Sequence, residues 1–448
     1  MTRKEAHRPS PIPWVGTCPR HWKTVRLKTT VRLCQNGLWG DEPDGVNDII
    51  CVRVADFDRV KRRVVLDNPT FRSVPAFRRA GRVLRSGDLL IEKSGGGERQ
   101  PVGCVVHFDH PSEAICSNFV ARMPVEPSHD ARFLSYVHES LYSLGLTGRS
   151  IKQTTGIQNL DSEAYLDERV EIPPLAEQRD IAAFLDRKTA AIDGLIARKE
   201  QQIELLGEKR QALITQAVTR GLNPRAPMKD SGIEWLGEIP AHWSLKRLMH
   251  LTPARRAIMY GIVLPGPDYA GGVPIVKSGD CTPEKLSPER LSRTDPEIEA
   301  GYVRSRLRPG DIVFAIRGSV GATAIVPTEL DGANLTQDAA RIAPADGVLN
   351  RWLLYALQAQ PVWAQLETGI LGATVKGINI RDLKRPVLPV PTRKEQRQVA
   401  EFLDRATDRL TREVQHAEKS IDLLREYRQA LISAAVTGKI DIPAEEAA

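Results

Sequence analysis

Cysteine is scarce in this chain: there are six in 448 residues, five of them before position 117, and no C-x-x-C pair. That spacing indicates neither a disulfide framework nor a zinc site, and it predicts reduced thiols. Aromatic residues make up only 5% of the sequence, and no stretch offers the roughly 18 consecutive apolar residues of a membrane span. The start, Met-Thr-Arg-Lys-Glu, is charged and no apolar segment follows it, so a secretory signal is not expected and a cytoplasmic location is. Neither sign of charge dominates: 63 Lys and Arg against 56 Asp and Glu leave a net charge of +7, which suits a polyanionic partner without demanding one.

Catalytic signatures are missing too. There is no G-x-x-x-x-G-K-[ST] phosphate loop. The only Pro-Pro pair, Pro173-Pro174, lacks the polar and aromatic neighbours of an amino-methyltransferase loop. Asp88 with Glu92-Lys93 misses the E-x-K spacing of a metal-dependent nuclease, and Gly318-Ser319-Val320-Gly321 is not a G-x-S-x-G elbow. His107 and His110 have no further metal ligands at a recognisable spacing. The chain is therefore expected to be non-catalytic, with no metal and no cofactor.

What is present is repetition, and it sets the domain plan. Ile12-Pro13-Trp14-Val15-Gly16, then Pro19-Arg20-His21-Trp22, returns 221 residues later as Ile233-Glu234-Trp235-Leu236-Gly237, then Pro240-Ala241-His242-Trp243. Gly87-Asp88-Leu89-Leu90-Ile91 returns 223 residues later as Gly310-Asp311-Ile312-Val313-Phe314. The stretch from Glu177-Gln178-Arg179 to Ile214 returns from Glu395-Gln396-Arg397 to Ile432 at an unvarying shift of 218. A shift that never drifts suits a rigid element, whereas shifts that drift suit domains with adjustable loops. The order is head, rod, head, rod: heads at 1–172 and 222–391, rods at 173–221 and 392–438, and a tail at 439–448.

The rods read as long helices. Leu185, Ile192, Ile196, Ile203, Leu206 and Leu213 fall on one helical stripe, and Leu403, Leu410, Val414, Ile421, Leu424 and Leu431 repeat it. Proline stands before each rod and glycine after it. A helix of about 44 residues would reach ~65 Å, less if Gly194 kinks the first. Two lone amphipathic helices with matched stripes bury them most simply on each other as a coiled coil, the alternative being that each packs on its own head.

The heads carry short β-branched runs with Pro and Gly punctuation, plus helical patches at Ala131–Leu144 and Leu349–Leu366, which makes the class α+β. The glycine-rich loops, with Lys93 and Ser94 in one copy and Arg317 and Ser319 in the other, would let backbone N–H groups approach phosphates while a cation reaches a base edge. Arg53 pairs by position with Lys277, and the polar loop carrying Lys152 and Gln153 with the one carrying Lys376. Each of these places a polar group or a cation at a strand end, the bland alternative being a solvated turn. Trp14, Trp22, Trp235 and Trp243 read as core anchors rather than stacking platforms.

The W-x-G-x-x-P-x-x-W opening, the G-D-hydrophobic strand, and P-x-x-E-Q leading into a long helix that ends Ala217-Val218-Thr219 or Ala435-Val436-Thr437 resemble the specificity subunit of type I restriction-modification systems. The resemblance covers nearly the whole chain. It implies two mixed, mainly β target-recognition domains separated by two long α-helices in an antiparallel coiled coil, with an internal pseudo-twofold repeat. It also implies that each domain reads half of a split, asymmetric double-stranded DNA sequence and that the helices set the gap. The implied partners are DNA, two methyltransferase subunits docked on the helices and, later, endonuclease-translocase subunits. Half-sites on one DNA face would lie near a multiple of ~34 Å apart, which such helices could span. The rival reading is a scaffold whose coiled coil joins carbohydrate- or protein-binding heads.

Overall fold

The computed structural model describes residues 7–97, 100–153, 156–367 and 377–442. They form two compact units, one made of residues 1–199 with 419–448 and the other of residues 200–418. Each unit holds one head and parts of both long helices, Leu175–Arg220 and Arg393–Val436. The first helix runs unbroken through Gly194.

In the first unit the head's main sheet has six strands in the order Gln35–Asn36, Val120–Met123, Asp88–Glu92, Val105–Phe108, Arg63–Val64 and Phe57–Asp58. Both faces of its central strand are covered. Leu89 and Ile91 point into the core that holds Phe133, Leu134 and Val137 of the helix Ala131–Ser143, while Leu90 points into a second core with Val52, Val106 and Phe108. A strand buried on both faces reads as an unbroken apolar run, which is why Gly87-Asp88 is followed by Leu-Leu-Ile. A smaller sheet pairs Asp48–Val52 in parallel with Ala114–Cys116 and antiparallel with Phe71–Ser73.

The head of the second unit repeats this plan. Its four-stranded sheet runs Met259–Tyr260, Ala339–Ile342, Ile312–Ala315, Thr323–Ile325, and its smaller sheet pairs Val273–Val276 in parallel with Asn334–Leu335. Ile312 and Phe314 face one core, Val313 and Ala315 the other. The expected helix over Leu349–Leu366 is two helices, Asn350–Gln358 and Gln360–Glu367. Pro361 has no N–H to donate and stands at the second position of the second one, where that loss costs least.

The helices meet in opposite directions. In the first unit Ile181, Ala182, Phe184 and Leu185, from the start of the first helix, share a core with Ile432, Ala435 and Val436 from the end of the second. In the second unit Ile214, Ala217 and Val218, from the end of the first, share a core with Val399, Ala400 and Leu403 from the start of the second. The pairing is antiparallel, and both packing alternatives operate at once, because these same cores contain head residues. Of the stripe, Leu185, Ile192, Leu206, Leu403, Leu410 and Ile421 are buried, and Ile196, Ile203, Leu213, Val414, Leu424 and Leu431 are half-buried. Ile214, Val218, Ile432 and Val436 are buried as well, since near the heads a seam two residues wide becomes a broader covered face.

Among the described residues no helix is long and apolar enough to cross a membrane. The six cysteines are free thiols, all buried but Cys34.

Candidate nucleic-acid interface

The motifs shared by the two halves build one joint twice. Glu177, in the first turn of the first long helix, accepts hydrogen bonds from His21 Nε2 at 2.7 Å and from the indole Nε1 of Trp22 at 2.9 Å. Glu395 does the same with His242 at 2.9 Å and Trp243 at 3.2 Å. Burial would raise the Glu395 carboxyl, but hydrogen bonds from Thr392, His242 and Trp243 outweigh it and bring the group down to about 2. The neighbouring glutamines each use both ends of the amide: Gln178 accepts from Asp130 N and donates to Pro173 O, and Gln396 accepts from Leu349 N and donates to Pro391 O. Asp186 and Asp404 then accept from the hydroxyls of Tyr136 and Tyr355, each at 2.8 Å. Trp22 and Trp243 are thus buried anchors. Trp235 is not: it is 48% exposed, and Leu236 beside it takes the inward place.

With that joint fixed, one end of each head's sheets is left for other work. The strands Asp48–Val52, Asp88–Glu92 and Ala114–Cys116 all finish at this end, and Val120–Met123 starts there, because Glu92 pairs with Val120 and Cys116 with Val52. In the second head Val273–Val276, Ile312–Ala315 and Asn334–Leu335 finish together, with Ala315 paired to Ala339. The turns that follow these strands therefore gather at one edge in each head.

Most of the expected contact residues lie in these turns. Arg53 opens the turn after its strand, its guanidinium donating to Asp56 at 2.9 Å, and its counterpart Lys277 donates from Nζ to Ser292 Oγ at 2.8 Å. Lys93 Nζ donates to Asn36 Oδ1 at 2.9 Å, and Ser94 Oγ to Asn159 Oδ1 at 2.5 Å. A small sheet of Ser94–Gly95, Gln158–Leu160 and Ile151–Gln153 brings the loop of Lys152 and Gln153 beside that of Lys93. Lys152 pairs with Asp161 at 2.7 Å, while Gln153 is exposed. In the second head Arg317 bridges to Gly377 and stands 3.8 Å from Asp338, and Ser319 is exposed on the tight turn that returns to Ala322. Lys376 lies outside the described residues. Each described cation thus has a partner beside it, so the edge presents charges in set places rather than on free chains.

Two features of this edge escape sequence reading. A Cβ at Gly37 would stand 1.9 Å from Cys116 O, and one at Gly261 would stand 2.1 Å from Leu335 O. In both heads a strand end is laid directly against the backbone of the next turn, an approach only glycine permits. The turn itself, Ser117-Asn118-Phe119 in one head and Thr336-Gln337-Asp338 in the other, is built alike. Ser117 N donates to Val52 O and Thr336 N to Val276 O, while Phe119 O accepts from Lys93 N and Ser94 N and Asp338 O from Ile316 N and Arg317 N. The clue in the sequence is faint, a hydroxyl and an amide followed by Ala121-Arg122 or Ala340-Arg341.

The carboxylates and His110 singled out in the sequence have other partners among the described residues. Asp88 accepts from the buried Arg122 at 2.6 Å, and Asp311 from Arg256 at 2.8 and 2.6 Å, so both are engaged by arginine. His107 lies on the strand Val105–Phe108, and His110 Nδ1 accepts from Ser112 N at 3.1 Å. Among the described residues no three His, Cys, Asp or Glu come together as a metal site.

A duplicated head bearing a polar, cation-set edge, twice joined to antiparallel helices, defines the class of paired recognition modules. The chain belongs to the family described as the type I restriction modification DNA specificity domain, which matches residues 83–205 and 272–419. It is 28% identical over 295 residues to the type I restriction enzyme EcoBI specificity subunit of Escherichia coli, covering 63% of this chain and 61% of that one. It is 22% identical over 439 residues to the putative MjaX specificity subunit of Methanocaldococcus jannaschii, covering 96% of each. A solved chain of the type I R-M system superposes with a TM-score of 0.71 at 19% identity, covering 94% of this chain and 99% of that one. The HsdS subunit from Thermoanaerobacter tengcongensis superposes at 0.53 and 18%, covering 94% and 98%. These two likenesses establish the fold.

Proposed function

We propose that this chain is the DNA-recognition subunit of a type I restriction-modification complex, each head reading one half of a split, asymmetric double-stranded sequence. Residues 1–172 and 222–391 are the readers in this account, and 173–221 and 392–438 the spacers that set the gap. Two methyltransferase subunits dock on the spacers and supply the chemistry, with endonuclease-translocase subunits as further partners. The observation that carries this is the edge built twice on one backbone plan with different side chains: Arg53, Lys93 and Phe119 in one head, Lys277, Arg317 and Asp338 in the other. Cations at set places position a duplex, and differing groups between them discriminate bases.

The test is a gel shift with the chain bound to its methyltransferase partner and random-sequence competitor in excess. Binding to a particular split site should survive the competitor, and the chain alone should neither methylate nor cut. Binding that never discriminates sequence would leave only the scaffold reading.

A further inference from the structure

We propose that Asn118 and Gln337 are the adenine-reading residues of the two heads, which rests on the DNA-recognition reading above. Each stands at the tip of the same turn on the same edge. Asn118 is exposed and Gln337 half-exposed, and among the described residues neither amide side chain has a hydrogen-bond partner. That freedom is the unusual part. An asparagine in a turn ordinarily earns its place by accepting from a backbone N–H two residues on, and Asn118 makes no such bond. Glutamine has no comparable turn chemistry, yet it occupies the matching position in the other head. The edge cations Arg53, Lys93, Lys152, Lys277 and Arg317 are each tied to a neighbour. Asn118 and Gln337, like the exposed Gln153 and Ser319, keep hydrogen-bonding capacity unspent, and alone of these four they stand at the tip of the turn that both heads build alike.

The surroundings are those a base reader needs. The backbone on either side is held by the paired bonds from Ser117 N and Thr336 N and to Phe119 O and Asp338 O, so the tip is fixed before any ligand arrives. Gly37 and Gly261 press against the carbonyl that leads into the turn, and no side chain grows from either beside the tip. A carboxamide offers one acceptor and one donor, which match the N6 amine and N7 of adenine in the major groove as a bidentate pair. The flanking cations serve the phosphates. The next residue differs, Phe119 against Asp338: the first is fitted to apolar contact with a thymine methyl, the second to accepting from an exocyclic amine. A shared adenine reader with unlike neighbours produces two different half-sites.

The test is selection from a randomised double-stranded DNA library by the full chain in complex with its methyltransferase partner, for the wild type and for N118A, Q337A, N118D and Q337E. The wild type should enrich a split sequence with an adenine that each alanine variant affects separately. N118A should flatten the preference at one position of one half-site by roughly 5- to 150-fold, and Q337A at one position of the other half only. N118D and Q337E should move the preference at those positions toward cytosine, since a carboxylate accepts from its N4 amine. A changed preference is a gain that a poorly folded variant cannot produce. Selection profiles identical to wild type, or an equal loss of affinity at all positions, would overturn the assignment. A wild-type complex that enriches no split sequence would instead defeat the recognition reading on which it stands.

Discussion

A carboxylate in the first turn of each long helix accepts from an indole and an imidazole some 155 residues earlier in the chain. The indole supplies both buried apolar area and a donor. Trp243→Phe, which removes the donor and part of the buried ring, should therefore cost about 1–3 kcal/mol, whereas Trp243→Ala, which empties the site, should cost ~3–5 kcal/mol. Urea denaturation of the two variants separates those contributions. Glu395 has a lowered carboxyl, so its contribution is present above the ordinary value of 4.5 and is lost as pH falls toward about 2. The stability gap between wild type and Glu395→Gln should accordingly be full at pH 6 and narrow below about pH 4.5, as read from melting across that range. A third residue-scale expectation concerns Gly37. With Cys116 O so near, Gly37→Ala should cost about 1–3 kcal/mol or more and displace the Asn118 turn, observable as changed amide exchange at 117–120.

At the scale of elements the two halves part company. Arg428 in the second long helix is buried and donates to Glu139 at 2.6 Å, Asp193 at 3.0 Å and the carbonyl of Val60 at 2.8 Å, linking both helices of the first unit to its head. Arg210 is its partner in the repeat, and it is exposed. Removing one member of a buried ion cluster strands the others, so Arg428→Gln should cost ~3–5 kcal/mol while Arg210→Gln should fall within about 0.5. Chemical denaturation with hydrogen exchange on Ala131–Ser143 would report the difference. The repeat in the sequence makes the rods, their stripe and the G-D strand readable, because 3.6-residue periodicity and an apolar run are local signals. It does not reveal that Arg428 and Arg210 live differently, since that depends on the hairpin Phe57–Val64, which the second head lacks among its described residues. Nor does it reveal Asn118. A turn tip carries no periodicity, and Gly37 matters only through a strand far from it in the chain. The cations were readable as a class, but their partners, Asn36, Asp161 and Ser292, are set by sheet register.

For the whole molecule, two cores with the same plan and separate side chains make the heads interchangeable in principle. Replacing 222–391 by the corresponding segment of a relative with another target should alter one half of the methylated sequence and leave the other as it was. Mapping methylated positions across a genome checks this, and a change in both halves would speak against separate readers.

The first unit is completed by residues that follow position 418, among them Ile432, Ala435 and Val436, while the second is a single continuous run from 200 to 418. During synthesis the first head must therefore wait for Ile432, Ala435 and Val436 while the whole intervening unit is translated, on the order of 10–45 seconds at ~5–20 residues per second. Throughout that interval Ile181, Phe184 and Leu185 pack on their own head but lack the second long helix that completes their core. A nascent chain stalled or nicked between residues 418 and 432 thus leaves the seam of the first unit around Ile181 and Leu185 uncovered, and chaperones should find their binding surface there rather than at the break.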